Sequence, residues 1–304
     1  MPAARRKQKQ HKEEENVEKT SKKKKQNQVL VVLHRLKRNK MAMVGLFVIT
    51  LMVLASVFAP WIAPYGYEQQ DLYNIFKAPG GAHILGTDNL GRDIFSRLLY
   101  GGRQSLKIGI VSVAIAASLG IIFGSIAGYY GGWVDNVLMR VLDVFQAVPG
   151  LLMSIAIATT LGPGINNAML AIGLTTIPGY ARMTRASFLS VRGMEYVEAA
   201  TAINATDSRI IWKHILPNAI SPMIVQITMG VASSILAAAS LSFMGLGAQP
   251  PLPEWGAMLT AGRTYMRDYP YLCIIPGLVI MVAVLSINML GDGLRDALDP
   301  RLKN

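Results

Sequence analysis

The chain has 304 residues, 52% of them hydrophobic and 16% charged, with a mean hydropathy of +0.35. A soluble domain carries roughly 25% charged residues, so overall disorder is excluded and an ordinary cytosolic globule is disfavoured. The single cysteine, Cys273, excludes an internal disulfide framework and a multi-cysteine zinc site. The net charge of +12 would suit a nucleic-acid partner, but its placement points elsewhere.

Residues 1–40 hold 14 of the 30 Lys and Arg, including the run Lys22 to Lys25, with four Glu and no Phe, Trp or Tyr. Such a segment cannot bury enough apolar surface to offset its ordering entropy, so residues 1–28 are expected to be disordered. Nucleic-acid binding needs a basic surface on a folded module. None is present, and the tail is expected to lie beside anionic lipid headgroups.

Past Lys40 the chain breaks into uncharged runs of membrane length, about 20 residues being needed to cross the hydrocarbon core. Six are placed, at 41–63, 108–130, 144–161, 165–181, 219–244 and 272–290. Most are too apolar all round for surface helices, which show one polar face. The third and fourth are short and separated only by the turn Gly162-Pro163-Gly164. The first reads as an uncleaved helix and not a secretory signal, because its apolar stretch exceeds the usual length of about 7–15 residues. With both termini inside, segments 1–40, 131–143, 182–218 and 292–304 carry 23 Lys and Arg, against six in the outer segments 66–106 and 249–270. That asymmetry follows the positive-inside bias.

Small residues let helices approach closely in lipid. The second span offers a long ladder on one face: Ser112, Ala116, Gly120, Gly124 and Gly128 recur every four residues. Its expected role is helix packing. Pro149, Pro178, Pro222 and Pro276 each remove a backbone donor within or near a span, which neighbouring helices can re-satisfy. They hint at a bundle around a pathway.

The six cores contain no Asp, Glu, Lys, Arg or His. Asp143 and Gln146 lie at the edge of the third, and Gln226 and Asn288 read as interhelical hydrogen-bonding groups. An ion-coupled secondary carrier would place ionisable groups or broken-helix ion sites near the midplane. A membrane-embedded enzyme would place a nucleophile and base there, whereas all four histidines fall outside the spans. No HExxH metal motif or Walker-type phosphate loop occurs. Neither a catalytic centre nor a nucleotide site is evident, so energy for uphill transport would enter through a partner.

The informative segment runs from Glu195 to Pro217. Glu195 to Ile203 is rich in helix formers, with acidic residues in the first turn where the helix dipole favours them. Asn204 tolerates the left-handed conformation that ends a helix. Thr206 or Asp207 can cap the next helix, and Pro217 starts another or breaks this one. Ala199, Ala200 and Ala202 leave the first helix shallow enough to lie in a groove on another protein.

Glu198-Ala199-Ala200, a turn residue four positions on, and His214-Ile215-Leu216-Pro217-Asn218 together resemble the EAA loop of bacterial ABC-importer permeases. That resemblance implies that Glu195, Glu198, Ala199, Ala200, Asn204, Asp207, His214, Leu216 and Pro217 belong to a coupling loop docked on an ATPase subunit. The family usually has Gly where Asn204 stands. Residues 83–101, with Asp88, Arg92, Asp93 and Arg97, resemble the outer loop of the dipeptide, oligopeptide and nickel group. Residues 241–256 and 290–301 resemble that group's C-type subunit.

In the outer segment Asp88 and Arg92, and Asp93 and Arg97, stand four apart, as ion pairs on a helix capped at Thr87 or Asp88 would require. Asp292, Arg295, Asp296 and Asp299 read as a structural ion-pair cluster beside the last span, with no metal site expected.

The resemblance implies an all-α, polytopic fold of six transmembrane helices, the type I ABC importer permease fold, in a bacterial inner membrane with both termini cytoplasmic. Four regions are expected: a basic tail (1–40), a first helix with an outer loop (41–103), a core holding the coupling loop 195–218 (104–292), and a short C-terminus (293–304). The implied partners are a related B-type permease, two ATPase subunits that hold ATP and Mg, an extracytoplasmic solute-binding protein and the lipid bilayer. No cofactor and no catalytic residue is expected in this chain. Peptides are the expected cargo, with nickel chelates the alternative.

Overall fold

The computed structural model describes residues 28–298. The tail expected to be disordered lies outside them up to residue 27, as does Asp299. The helices are α1 (Gln28–Arg38), α2 (Lys40–Val57), α3 (Ala59–Ile62), α4 (Ile94–Tyr130), α5 (Gly132–Gln146), α6 (Gly150–Leu161) and α7 (Ile165–Arg192). There follow α8 (Glu195–Ala202), α9 (Asp207–Arg209), a π-helical turn (Ile210–Ile215), α10 (Leu216–Ala219), α11 (Ser221–Phe243), α12 (Trp255–Arg263) and α13 (Tyr271–Leu298). Among the described residues β structure is confined to two isolated bridges, Gly80 with His83 and Thr87 with Asp93.

Four of these helices, α2, α4, α11 and α13, are long and apolar enough to cross a membrane, and α5 with α6 makes a fifth if the bent pair is one span. The third run, placed at 144–161, is split over two helices, with the chain bent by 84° between α5 and α6. Pro149 explains the break, because it has no amide to donate and occupies the cap of α6. The fourth run belongs to α7, which continues to Arg192 and carries Asn166, Asn167, Arg182 and Arg185. Its 28 residues extend the uncharged run by a charged stretch that holds Arg182, Arg185 and Arg192.

Connectivity nevertheless brings the chain from one end of the bundle to the other six times. Ser112 Oγ donates to Met169 O at 3.2 Å, and further along Gly120 abuts Tyr180, Gly124 abuts Ala181, and Gly128 abuts Phe188. Both numberings rise together, so α4 and α7 are parallel. Two parallel neighbours need a return crossing, and α5–α6 supplies it. Asp135 of α5 pairs with Arg185 at 2.5 Å, whereas the Gly164 amide after α6 reaches Leu246 O at 3.1 Å at the opposite end.

The ladder on α4 is the seam of this pair. All five of its residues are buried. A Cβ on Gly128 would stand 2.6 Å from Phe188 Cβ, and one on Gly124 would stand 2.6 Å from Thr184 Cβ as well as striking Ala181 O. Helix α11 packs against α4 in the opposite sense, with Gly230 near Val113 and Ile235 near Gly109. Helix α2 lies along α13, where Gly45 meets Ser286 O and Gly293 meets Ala42.

Several boundaries differ from the sequence expectation. Helix α4 starts at Ile94, well before residue 108, because Asp93 caps it by accepting the Ser96 amide at 2.7 Å. The first span stops at Val57, and Pro60 heads the short α3. Pro178 and Pro276 lie inside helices, while Pro222 opens α11. Helix α1 occupies part of the region read as basic tail. Its Leu36 is buried with Ala42 and Ala297, and Asn39 both caps α2 and donates to Asp296 Oδ2 at 3.2 Å. Of the expected ion-pair cluster, Asp296 takes that amide, and Asp299 lies outside the described residues. Gln226 engages Tyr180 Oη through its backbone carbonyl at 3.3 Å, not through its side chain.

Replacing Gly124 with Leu is expected to force α4 and α7 apart and to lower stability by about 1–3 kcal/mol, read as a lower melting temperature of the detergent-solubilised chain. Gly179→Ala, where a Cβ meets nothing within 4 Å, is expected to be neutral or stabilising by up to about 1 kcal/mol.

Candidate functional site

The segment 195–218 sits at the end of the bundle where α4 and α7 finish. Helix α8 is pinned along one face only. Val197 (3% exposed) and Ala200 (5%) pack with Phe188, Val191, Ile210, Ile211, Ile215 and Met223. Glu195, Glu198 and Ala199 face outward.

The end of α8 is set by backbone chemistry. Asn204 has φ +57°, a conformation L residues seldom adopt and Asn tolerates. Its amide reaches Thr201 O at 2.9 Å, and the Ala205 amide reaches Ala200 O at 3.1 Å. That pair of bonds is a Schellman closure, which satisfies carbonyls otherwise left open. Thr206 takes the next cap position with its backbone alone.

Asp207 does something the sequence did not signal. Tyr129 Oη donates to its Oδ1 at 2.8 Å and Tyr130 Oη to its Oδ2 at 3.2 Å. The carboxylate therefore fastens α9 to the last turn of α4. Beyond it the Leu216 amide bonds Ile211 O, five residues back, a widened turn of the kind found inside helices at functional positions. Pro217 then opens α10 without an amide of its own. His214 and Leu216 are half-buried, and Asn218 Nδ2 donates to His214 O at 2.7 Å.

Exposed apolar side chains surround α8. Ile203 is 81% exposed, Trp212 50%, and Met194 and Tyr196 also face out. Together with Glu198 and Ala199, the side chains of Met194, Tyr196, Ile203 and Trp212 form a shallow exposed face.

The other end of the bundle holds the second constellation. The expected helix capped at Thr87 or Asp88 is not there: residues 87–93 form a turn closed by the Thr87–Asp93 bridge. Asp88 accepts the Leu90 and Arg92 amides and pairs with Arg92 Nε at 2.7 Å. Asp93 does not pair with Arg97. It accepts from Ser96 and contacts His83 Nδ1 at 3.0 Å, with Tyr65 stacked on the imidazole at 4.8 Å. Arg97 instead donates to Tyr67 O at 2.8 Å. Positive φ is required at Gly91 (+70°), where a Cβ would strike Asp71 O. Asn74 donates to Asp71 at 2.6 Å and holds that carboxyl below its ordinary pKa.

Glu254 is the most deeply buried acid among the described residues, 1% exposed. It accepts Ser105 Oγ (2.9 Å), Ser242 Oγ (2.8 Å) and the amides of Gly256 (2.9 Å) and Ala257 (2.8 Å). One carboxylate thus joins α4, α11 and the start of α12. The Pro-Glu-Trp sequence before a helix was its only sequence trace. Among the described residues no group of three His, Cys, Asp or Glu could hold a metal ion.

Comparison with known proteins adds to this geometry. Residues 120–304 match the family described as binding-protein-dependent transport system inner membrane component, and residues 28–79 match the N-terminal TM domain of oligopeptide transport permease C. The chain is 45% identical over 270 residues to the dipeptide transport system permease protein DppC of Alkalihalophilus pseudofirmus, covering 89% of each. It is equally 45% identical over 270 residues to the glutathione transport system permease protein GsiD of an Escherichia coli strain, covering 88% of this chain and 89% of that one. A chain of the MetNI methionine ABC transporter in an inward facing conformation superposes with TM-score 0.55 at 19% identity, covering 68% of this chain and 98% of that one. The last likeness concerns the fold alone.

Asn204→Val is expected to strain the left-handed turn and cost about 1–3 kcal/mol, whereas Asn204→Gly is expected to leave stability unchanged; thermal unfolding of the two purified variants separates these outcomes.

Proposed function

This chain belongs to the family of binding-protein-dependent transport system inner membrane components, and on that premise we propose that it is the peptide-conducting permease of an ATP-driven importer, moved by ATPase subunits that grip α8. The observation that carries this reading is the one-sided anchoring of α8: Val197 and Ala200 are locked into the bundle while Glu198 and Ala199 stay free for a partner.

Displacement of α8 has two rigid routes inward. One is the short link through Gly193 and Met194 to α7. The other is Asp207, held by Tyr129 and Tyr130 at the end of α4. Both routes converge on the parallel α4–α7 pair, so a push on α8 tilts these two helices together. A nucleotide-dependent grip that differs between two conformations is what coupling requires. ATP and Mg belong to the two ATPase subunits, and this chain supplies no catalytic group. A related permease pairs with it across the pathway, and a solute-binding protein delivers cargo to the end that carries Arg92 and Glu254. Peptides are the cargo in this reading, because the 45% identical relatives are named for dipeptide and glutathione transport. The termini lie in the cytoplasm, with α8, in keeping with the excess of Lys and Arg there.

In a Cys273→Ser background, Ala199→Cys is expected to resist a membrane-impermeant maleimide in sealed cells and to react after the membrane is opened. Glu198→Lys is expected to weaken ATPase association at least tenfold in co-purification while the permease still reaches the membrane. Labelling from outside, or unchanged ATPase binding after both Glu198→Lys and Asn204→Val, would overturn the reading.

A further inference from the structure

We propose that the cleft between the N-terminus of α4, α12 and the start of α13 is a carboxylate-binding site built on Arg92 and Arg97. The two arginines are 8% and 6% exposed. Guanidinium groups at that depth normally have matching anions, because an unpaired buried charge is costly. Here they share one. Asp88 Oδ2 is 2.7 Å from Arg92 Nε and 3.7 Å from Arg97 Nε, while Asp93 is engaged by His83 and Ser96. One positive charge is left in excess.

The terminal donors of Arg92 are open, whereas those of Arg97 are partly taken. Arg97 Nη1 is directed at Tyr67 O and Pro251 O. Neither Nη of Arg92 has a protein acceptor among the described residues, and neither is sealed off as a buried unsatisfied atom. Both arginines line a cleft of about 30 Å³ whose other wall includes Met258 and Leu272. One water needs about 10–15 Å³, so the space takes the head of a carboxylate and excludes a whole peptide. A planar two-oxygen head suits the guanidinium fork, and the apolar wall suits the carbon behind it. The molecule that carries the carboxylate therefore stays outside and inserts only its acidic end. That end is either the free C-terminus of a peptide or an Asp or Glu of a docked protein.

This inference goes beyond ATPase coupling, and it is read by direct binding at the opposite end of the bundle, so the two fail separately. Saturation-transfer NMR on the purified full chain, at fixed ionic strength, would use acetate as probe and acetamide as its neutral control. Acetate is expected to receive saturation from the wild type, at least threefold less from Arg92→Gln, and more from Asp88→Asn; acetamide is expected to receive none. Asp88→Asn keeps the test decisive if Arg92→Gln fails to fold, since only an anion site gains from losing a carboxylate. Equal signals from all three proteins, or acetamide behaving as acetate does, would sink the proposal. Competition by Ala-Ala but not by its amide identifies the peptide terminus as the source. Competition by the importer's solute-binding protein, lost in Arg92→Gln, identifies an acidic side chain. Competition by neither overturns the assignment.

Discussion

The close approach of α4 to α7 is the constraint on which the rest of this structure depends. In lipid, two apolar helices gain little by hiding from the solvent, and attraction comes from dispersion between surfaces that fit. Gly120, Gly124 and Gly128 bring the α4 backbone against Tyr180, Ala181 and Phe188 with no room for a further carbon. Because the two helices run parallel, α5–α6 has to return the chain between them, and its 84° bend is where that return is made. Two hydroxyls at this seam, Ser125 Oγ and Thr184 Oγ1, are buried without a hydrogen-bond partner among the described residues, so apart from the Ser112–Met169 bond the contact is held mainly by shape.

Helix α4 also joins the two constellations physically. With 37 residues it is about 55 Å long at 1.5 Å per residue. Arg97 lies in its first turn and Tyr129 in its last. Between them Ser105 ties it to Glu254, whose carboxylate also holds α11 and α12. A buried acid of this kind is tolerable because four donors replace its hydration. The result is a rod anchored by polar contacts at both ends and by close packing along its length.

The backbone of segment 195–218 was largely legible in sequence because its signals are local. Acidic residues at the start of a helix, Asn204 at its end and Pro217 at the next start each act within a turn or two, and the backbone follows them. The outer turn was not legible in the same way. Spacing by four suggested Asp93 with Arg97, but Asp93 is drawn to His83 and to the helix cap, and Arg97 to Tyr67 O and Asp88. Ion pairs are settled by which groups meet in space, and several partners compete for each charge. The clamp of Tyr129 and Tyr130 on Asp207 spans 77 and more positions, a distance over which no residue pattern can specify contact.

Sequence alone determined that the chain is a helical membrane protein, where its apolar runs fall, which helix face is lined with small residues, and that one loop resembles a coupling loop. Those properties follow from composition, periodicity and short motifs, and they need no knowledge of neighbours. Only the tertiary structure decided that α4 and α7 are parallel, that the third run is bent at Pro149, and that α7 continues as one helix through Arg182 and Arg185. It alone brought Arg92, Arg97 and Asp88 to one cleft and made Glu254 the joint of three helices. Each of these depends on packing between segments distant in the chain, where backbone clearance and competition among polar partners choose the arrangement.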